Sequence, residues 1–244
     1  MNKIIILLIV VSLFSIESFS QSVIFLHHST GAGVYNEGDV AEWFTNYNTN
    51  NSKNYQLVER AYPDSPYLWA NYPYDYWNLW VNHVCNNEVT NIECLDNITK
   101  NYNIIIFKHC FPGADVDEDT GSPDISSDRK SLENYKLQYK AILAELDKYQ
   151  NNKFIVWTLV PEHRLVSSDT MFSFRAHEFV KWVKNVWLKE DGKEHKNVYI
   201  FNGLGTKGVM LAPYFAQKLF NHIKLNETLP EEVNVARFNK FFVN

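Results

Sequence analysis

The chain is poor in cysteine, with three in 244 residues, and an odd number cannot all pair within one chain. Cys85 and Cys94 are close enough in sequence to bridge a short loop in an oxidising compartment, which leaves Cys110 over, but spacing alone does not fix the pairing. No second long apolar run occurs after Ser20, so nothing in the body of the chain calls for a membrane-spanning helix. Clusters of lysine and arginine are also missing, and the formal net charge is −5. A mildly acidic chain with scattered bases is poorly suited to a nucleic-acid partner. There is no internal repeat, no low-complexity linker and no composition shift that would mark a domain boundary. One domain with one sizeable core is what these absences leave.

The amino end does carry an apolar run. Lys3 gives a positive start, Ile4 to Phe14 a short greasy middle, and Ser18 and Ser20 small residues in a polar exit. This is the pattern of a secretory signal cut between Ser20 and Gln21. The run is too short for a bilayer span, which takes about 20 apolar residues, and no cysteine lies near the cut to take a lipid anchor. The expectation is an exported, soluble domain over residues 21–244, periplasmic or secreted.

Strand-like and helix-like stretches alternate along the rest. Strands are expected near 23–27, 55–60, 103–108, 153–159 and 197–201. Between them, Asn36 is placed to cap a helix running through Val40, Trp43, Phe44 and Tyr47. Trp77, Trp80, Val81 and Val84 fall on one side of a helix from Tyr74 to Val84, and a shorter helix is expected around Leu95. Leu132 through Tyr149 and Phe172 through Trp187 have clear helical spacing, and Ala212 to Ile223 closes the chain. Alternating strands and helices mean parallel pairing with right-handed crossovers. The fold class is therefore α/β: a three-layer α/β/α sandwich with a mainly parallel sheet of about five strands, flavodoxin-like in type. In such sheets the ligand crevice lies beyond the carboxyl ends of the strands. Those ends read HHSTGAG, AYPDSPY, HCFPGAD, PEHR and NGLGTKG.

Ser29 directly follows the first strand and precedes two glycines, where a serine can stand exposed on a tight turn beside backbone N–H groups able to hold an oxyanion. The plainer alternative is a serine that caps a turn. His27 and His28 favour the chemical reading. Convergence of His27, His28, His109 and Cys110 on a metal is the weaker option, because adjacent strand residues point to opposite faces. No metal and no cofactor are expected. At the third strand end, Lys108 and the backbone amides are better oxyanion donors than Cys110. The aromatic stretch from Tyr67 to Trp80 divides: Trp77 and Trp80 belong to a helix core, whereas Tyr67, Trp69 and Tyr72 form a loop rim that either packs or grips a sugar ring.

In order, these strand ends resemble the SGNH (GDSL-like) hydrolase superfamily. FLHHSTG, ERAYPDSPY and FKHCFPGADV are similar to an exported, uncharacterised bacterial branch of it, over Val23 to about Phe201. The resemblance implies that Ser29 is the nucleophile and that its N–H helps form the oxyanion hole. Ser65 would stand at the second-block glycine and Cys110 at the third-block asparagine. The family's last block, Asp-x-x-His, has no counterpart in NGLGTKGVMLAP. His163, after the fourth strand, is then the substitute base; His28, adjacent to the serine, points away from it. Three outcomes follow: a serine esterase acting on a small-molecule or carbohydrate ester, an inactive relative that binds a glycan, or a chain that has lost its final block. Nothing in the sequence sets an oligomeric state.

Overall fold

The computed structural model describes residues 20–68, 70–160, 169–202 and 208–229, with backbone alone over 208–216. It is an α/β fold around one five-stranded, all-parallel sheet. The strands are β1 (Gln21–His27), β2 (Tyr55–Ala61), β3 (Ile104–Lys108), β4 (Lys153–Trp157) and β5 (Val198–Phe201), in the spatial order β2-β1-β3-β4-β5. Among the described residues, seven α-helices connect and follow them: α1 (Thr30–Glu37), α2 (Val40–Asn51), α3 (Pro73–Tyr76), α4 (Leu95–Asn101), α5 (Leu132–Leu146), α6 (Thr170–Asn185) and α7 (Gly208–Leu225).

The central strands are buried on both faces, which is why they are continuous apolar runs rather than alternating ones. Register pairs Ile24 with Ile105 and Leu26 with Phe107. On one face Ile24, Leu26, Ile105, Phe107, Phe154 and Val156 join residues of α3 to α6 in the large core. On the other, Phe25, Trp157 and Phe201 pack with Ile106, Ile155, Val34 and Tyr35 of α1 and Leu219 of α7. The parity of β3 therefore sends Ile106 and Lys108 towards α1, and Phe107 and His109 alternately, His109 reaching Tyr139 of α5. Each fully buried Leu, Ile or Phe contributes about 1.5–3 kcal/mol, and Leu26, Ile105, Phe107 and Phe154 are all wholly enclosed.

Two expectations need correction. The helix capped at Asn36 is instead two helices: Asn36 lies inside α1, and α2 starts after Asp39, whose φ of 48° breaks the run. The helix from Tyr74 to Val84 is a single α-turn, α3, widened into a π-turn over Trp77–Val81. That widening buries Trp77, Asn78, Leu79 and Trp80 in succession and leaves Val84 exposed. Of the cysteines, Cys85 and Cys94 form a disulfide with Cα atoms 5.0 Å apart, and Cys110 is free and buried. Among the described residues, no helix is long and apolar enough to cross a membrane. The expected signal segment lies outside the described residues apart from Ser20.

Candidate functional site

The strand order reverses direction between β1 and β3. From β1 the chain moves outward to β2, then returns to the other side of β1 to lay down β3. The crevice at such a reversal lies between the two loops leaving those strands. One loop carries Ser29; the other is Lys108, His109 and Cys110.

Ser29 is exposed and has φ 48° and ψ −112°, ahead of the first residue of α1. Outside glycine this conformation costs on the order of 1–3 kcal/mol. A serine held on a strained strand-to-helix turn, with its hydroxyl outward, is the arrangement used to present a nucleophile. The turn is tight enough for residues on either side of it to touch. A Cβ on Gly31 would lie 2.5 Å from both Cβ and Cγ of His27. With an imidazole two residues before the serine, only glycine fits two residues after it. Gly31→Ala is expected to cost about 1–3 kcal/mol by overpacking, seen as a lower urea midpoint; an unchanged midpoint would show a looser turn.

Gly31 N–H donates to His28 O at 2.9 Å. The Thr30 N–H, next after the serine, heads α1 and is among the amides for which a helix supplies no acceptor of its own. It is the first candidate for an oxyanion donor.

Lys108 lies beneath this turn and is 4 % exposed. Its Nζ donates to His28 O at 3.4 Å and to Thr30 Oγ1 at 3.2 Å. The side-chain nitrogen is thus tied to the residues on both sides of Ser29. Among the described residues no carboxylate makes an ion pair with it. Burial lowers its pKa below the ordinary lysine value, partly offset by Cys110.

The histidines near the serine are engaged elsewhere. His28 Nε2–H donates to Pro63 O at 2.6 Å, which fixes that tautomer and turns the ring towards the loop after β2. Burial lowers its pKa. His27 is sealed under Gly31 at 1 % exposure. Its Nε2 approaches Glu59 Oε1 to 2.6 Å without the alignment of a hydrogen bond. Burial, then the charge of Lys108, bring its pKa down to about 4. His109 shares a 2.6 Å hydrogen bond with the Tyr139 hydroxyl in the core. Burial and Lys108 bring its pKa down to about 3.

A buried polar network joins the loops after β1, β2 and β3. Tyr62 N donates to His27 O, Asn71 Nδ2 to Tyr62 O, and Cys110 N to Asn71 O at 2.7 Å. The Tyr76 hydroxyl donates to Lys108 O at 3.1 Å. Asn71 is fully buried with φ 54°. Sequence reasoning passed over it, although an asparagine before the PYDY turn suits the left-handed conformation. Cys110 is buried at the edge of this network. Its amide is therefore already taken.

Ser65 is exposed in the same β2 loop, but its N–H donates to Asp64 Oδ1 at 2.7 Å and its carbonyl accepts from Asn91. That amide is occupied rather than held open for an oxyanion. His163 lies outside the described residues, as does Trp69. Tyr72 is buried with its hydroxyl on Asp128 O, and the Tyr67 hydroxyl accepts from Asn78. Both hold loops together, and Trp77 and Trp80 are core. Among the described residues no three His, Cys, Asp or Glu side chains are placed to hold one metal ion. A pocket of about 150 Å³ lined by Trp80, His83, Leu95 and Tyr149 includes none of Ser29, Ser65, Lys108 and Cys110. No protein-family model matches the chain, and no solved structure matches it significantly.

Proposed function

We propose that the protein is an exported serine ester hydrolase of the SGNH type, with Ser29 as nucleophile and a small acyl ester, carbohydrate esters included, as substrate. The observation that carries this reading is the exposed, positive-φ Ser29 at the sheet's switch point. The amide after it is available in type to hold the oxyanion. The Cys85–Cys94 disulfide supports an oxidising compartment and therefore export. The purified protein is expected to hydrolyse 4-nitrophenyl acetate and to take a single fluorophosphonate adduct, mapped to Ser29 by mass spectrometry.

A non-catalytic glycan-binding relative is favoured by one observation: His27, His28 and His109 are each held away from the serine. The inward use of Tyr72, Trp77 and Trp80 weighs against it, because these three rings are not free to stack on a sugar. Absence of turnover on acyl and acetylated-sugar esters, absence of the adduct, and glycan binding by calorimetry together would replace the hydrolase by the binding protein.

A further inference from the structure

Given that hydrolase reading, on which this inference rests, we infer that Lys108 is the general base for Ser29. A serine without a base is a weak nucleophile at neutral pH, and the described imidazoles beside it are engaged. Lys108 approaches from beneath and bonds the carbonyl of His28 and the hydroxyl of Thr30, the residues before and after the serine. Those two contacts bring the amine to the turn itself.

The same surroundings favour the amine over the ammonium. The side chain is buried, and no carboxylate among the described residues pairs with it. An unpaired charge there lacks the compensation a buried ion needs. Thr30 also begins α1, so the positive end of the helix dipole meets the same group. Lysines desolvated in this way act as general bases, and serine–lysine pairs are a known variant of the triad chemistry.

The proton balance closes within the site. As Ser29 Oγ forms its bond to the acyl carbon, its proton passes to the Lys108 amine. The ammonium returns that proton to the alkoxide leaving group as the acyl–oxygen bond breaks. Water then attacks the acyl-enzyme, Lys108 takes one of its protons, and Oγ recovers it when the acid departs.

The test combines Ser29 labelling with rates of 4-nitrophenyl acetate hydrolysis across pH. Lys108→Met keeps the length of the side chain and removes its charge, so it has no buried ion to accommodate and should fold. It is expected to lower kcat by about 10²-fold or more, the scale of a lost general base, with little change in KM. In the wild type, kcat/KM should rise with pH as the amine loses its proton, and that limb should vanish in the variant. Lys108→Arg, which stays charged, should not restore activity; restoration would show a cationic oxyanion donor and overturn the base. Thr30→Val, at the surface, removes a positioning contact without a buried change. It should lower the rate by less than the roughly 10²-fold or more that loss of the base itself costs. A wild type that labels at Ser29, together with variants that keep the rate and the pH limb, would overturn this inference alone. Failure of the wild type both to label and to turn over would remove the hydrolase reading, and the base with it.

Discussion

Ser29→Gly is expected to abolish ester hydrolysis while making the protein more stable. The two effects come from different parts of the same residue. Losing the hydroxyl removes the nucleophile, which lowers kcat on the order of 10³-fold or more. Losing Cβ relieves the backbone, because φ 48° with ψ −112° is accessible to glycine and strained for serine. Against this, glycine gives up about 0.5–1 kcal/mol of extra unfolded-state entropy. The net gain is about 1 kcal/mol, since relief of strain is worth about 1–3 kcal/mol. Ser29→Ala should lose the same activity without the gain in stability. Urea denaturation of the three proteins, beside their rates on 4-nitrophenyl acetate, checks both halves. A glycine variant less stable than the alanine one would mean that the turn stores no strain.

Acid should unfold the protein early, through His109. The folded state holds this imidazole neutral, with burial foremost and the neighbouring Lys108 charge second, and its pKa is down to about 3. The unfolded chain takes up its proton near 6.5. Between those values the unfolded state binds more protons, so stability falls as pH drops from 6.5 towards 3. At 1.36 kcal/mol per unit, the loss from this group is about 2–3 kcal/mol by pH 4.5. His109→Gln cannot titrate there and retains a hydrogen-bonding group for Tyr139. It should lose less stability than the wild type between pH 7 and 4.5 by about that amount. Equal losses in the two proteins would show that His109 charges readily in the fold. His27, also lowered to about 4 by burial, weakens both proteins alike as pH falls, so the difference between them reports His109.

The sheet was legible because its strands are apolar runs buried on both faces, and burial of that kind leaves a local mark. Ser29 was legible for a related reason: it stands where such a run stops. The helix beginning at Thr30 was not. Gly31 and Gly33 read as a loop, yet Gly31 is required there by the His27 ring and the helix proceeds through both. The π-turn was hidden because Trp77 and Trp80 satisfy an ordinary helical period, and only packing shows that Asn78 and Leu79 are inside as well. Lysine at the end of β3 could be recognised as a donor. Its burial without a carboxylate depends on what lies opposite it across strands far apart in sequence. The same holds for His28, whose partner is a carbonyl in the loop after β2. Local patterns fix which residues stand at the sheet's edge; long-range contacts decide which of them keep a free lone pair.

The order β2-β1-β3-β4-β5 has a further consequence for how the sheet is put together. Once β1 has paired with β2, β1 offers one open edge, and β3 takes it. β4 then adds beside β3, and β5 beside β4, each strand emerging from the chain after the neighbour it needs. No strand has to be inserted between two that are already paired. The sheet can therefore be extended in a single direction from the β1–β2 pair, and the β1–β3 pairing that floors the cleft requires neither β4 nor β5 to be in place.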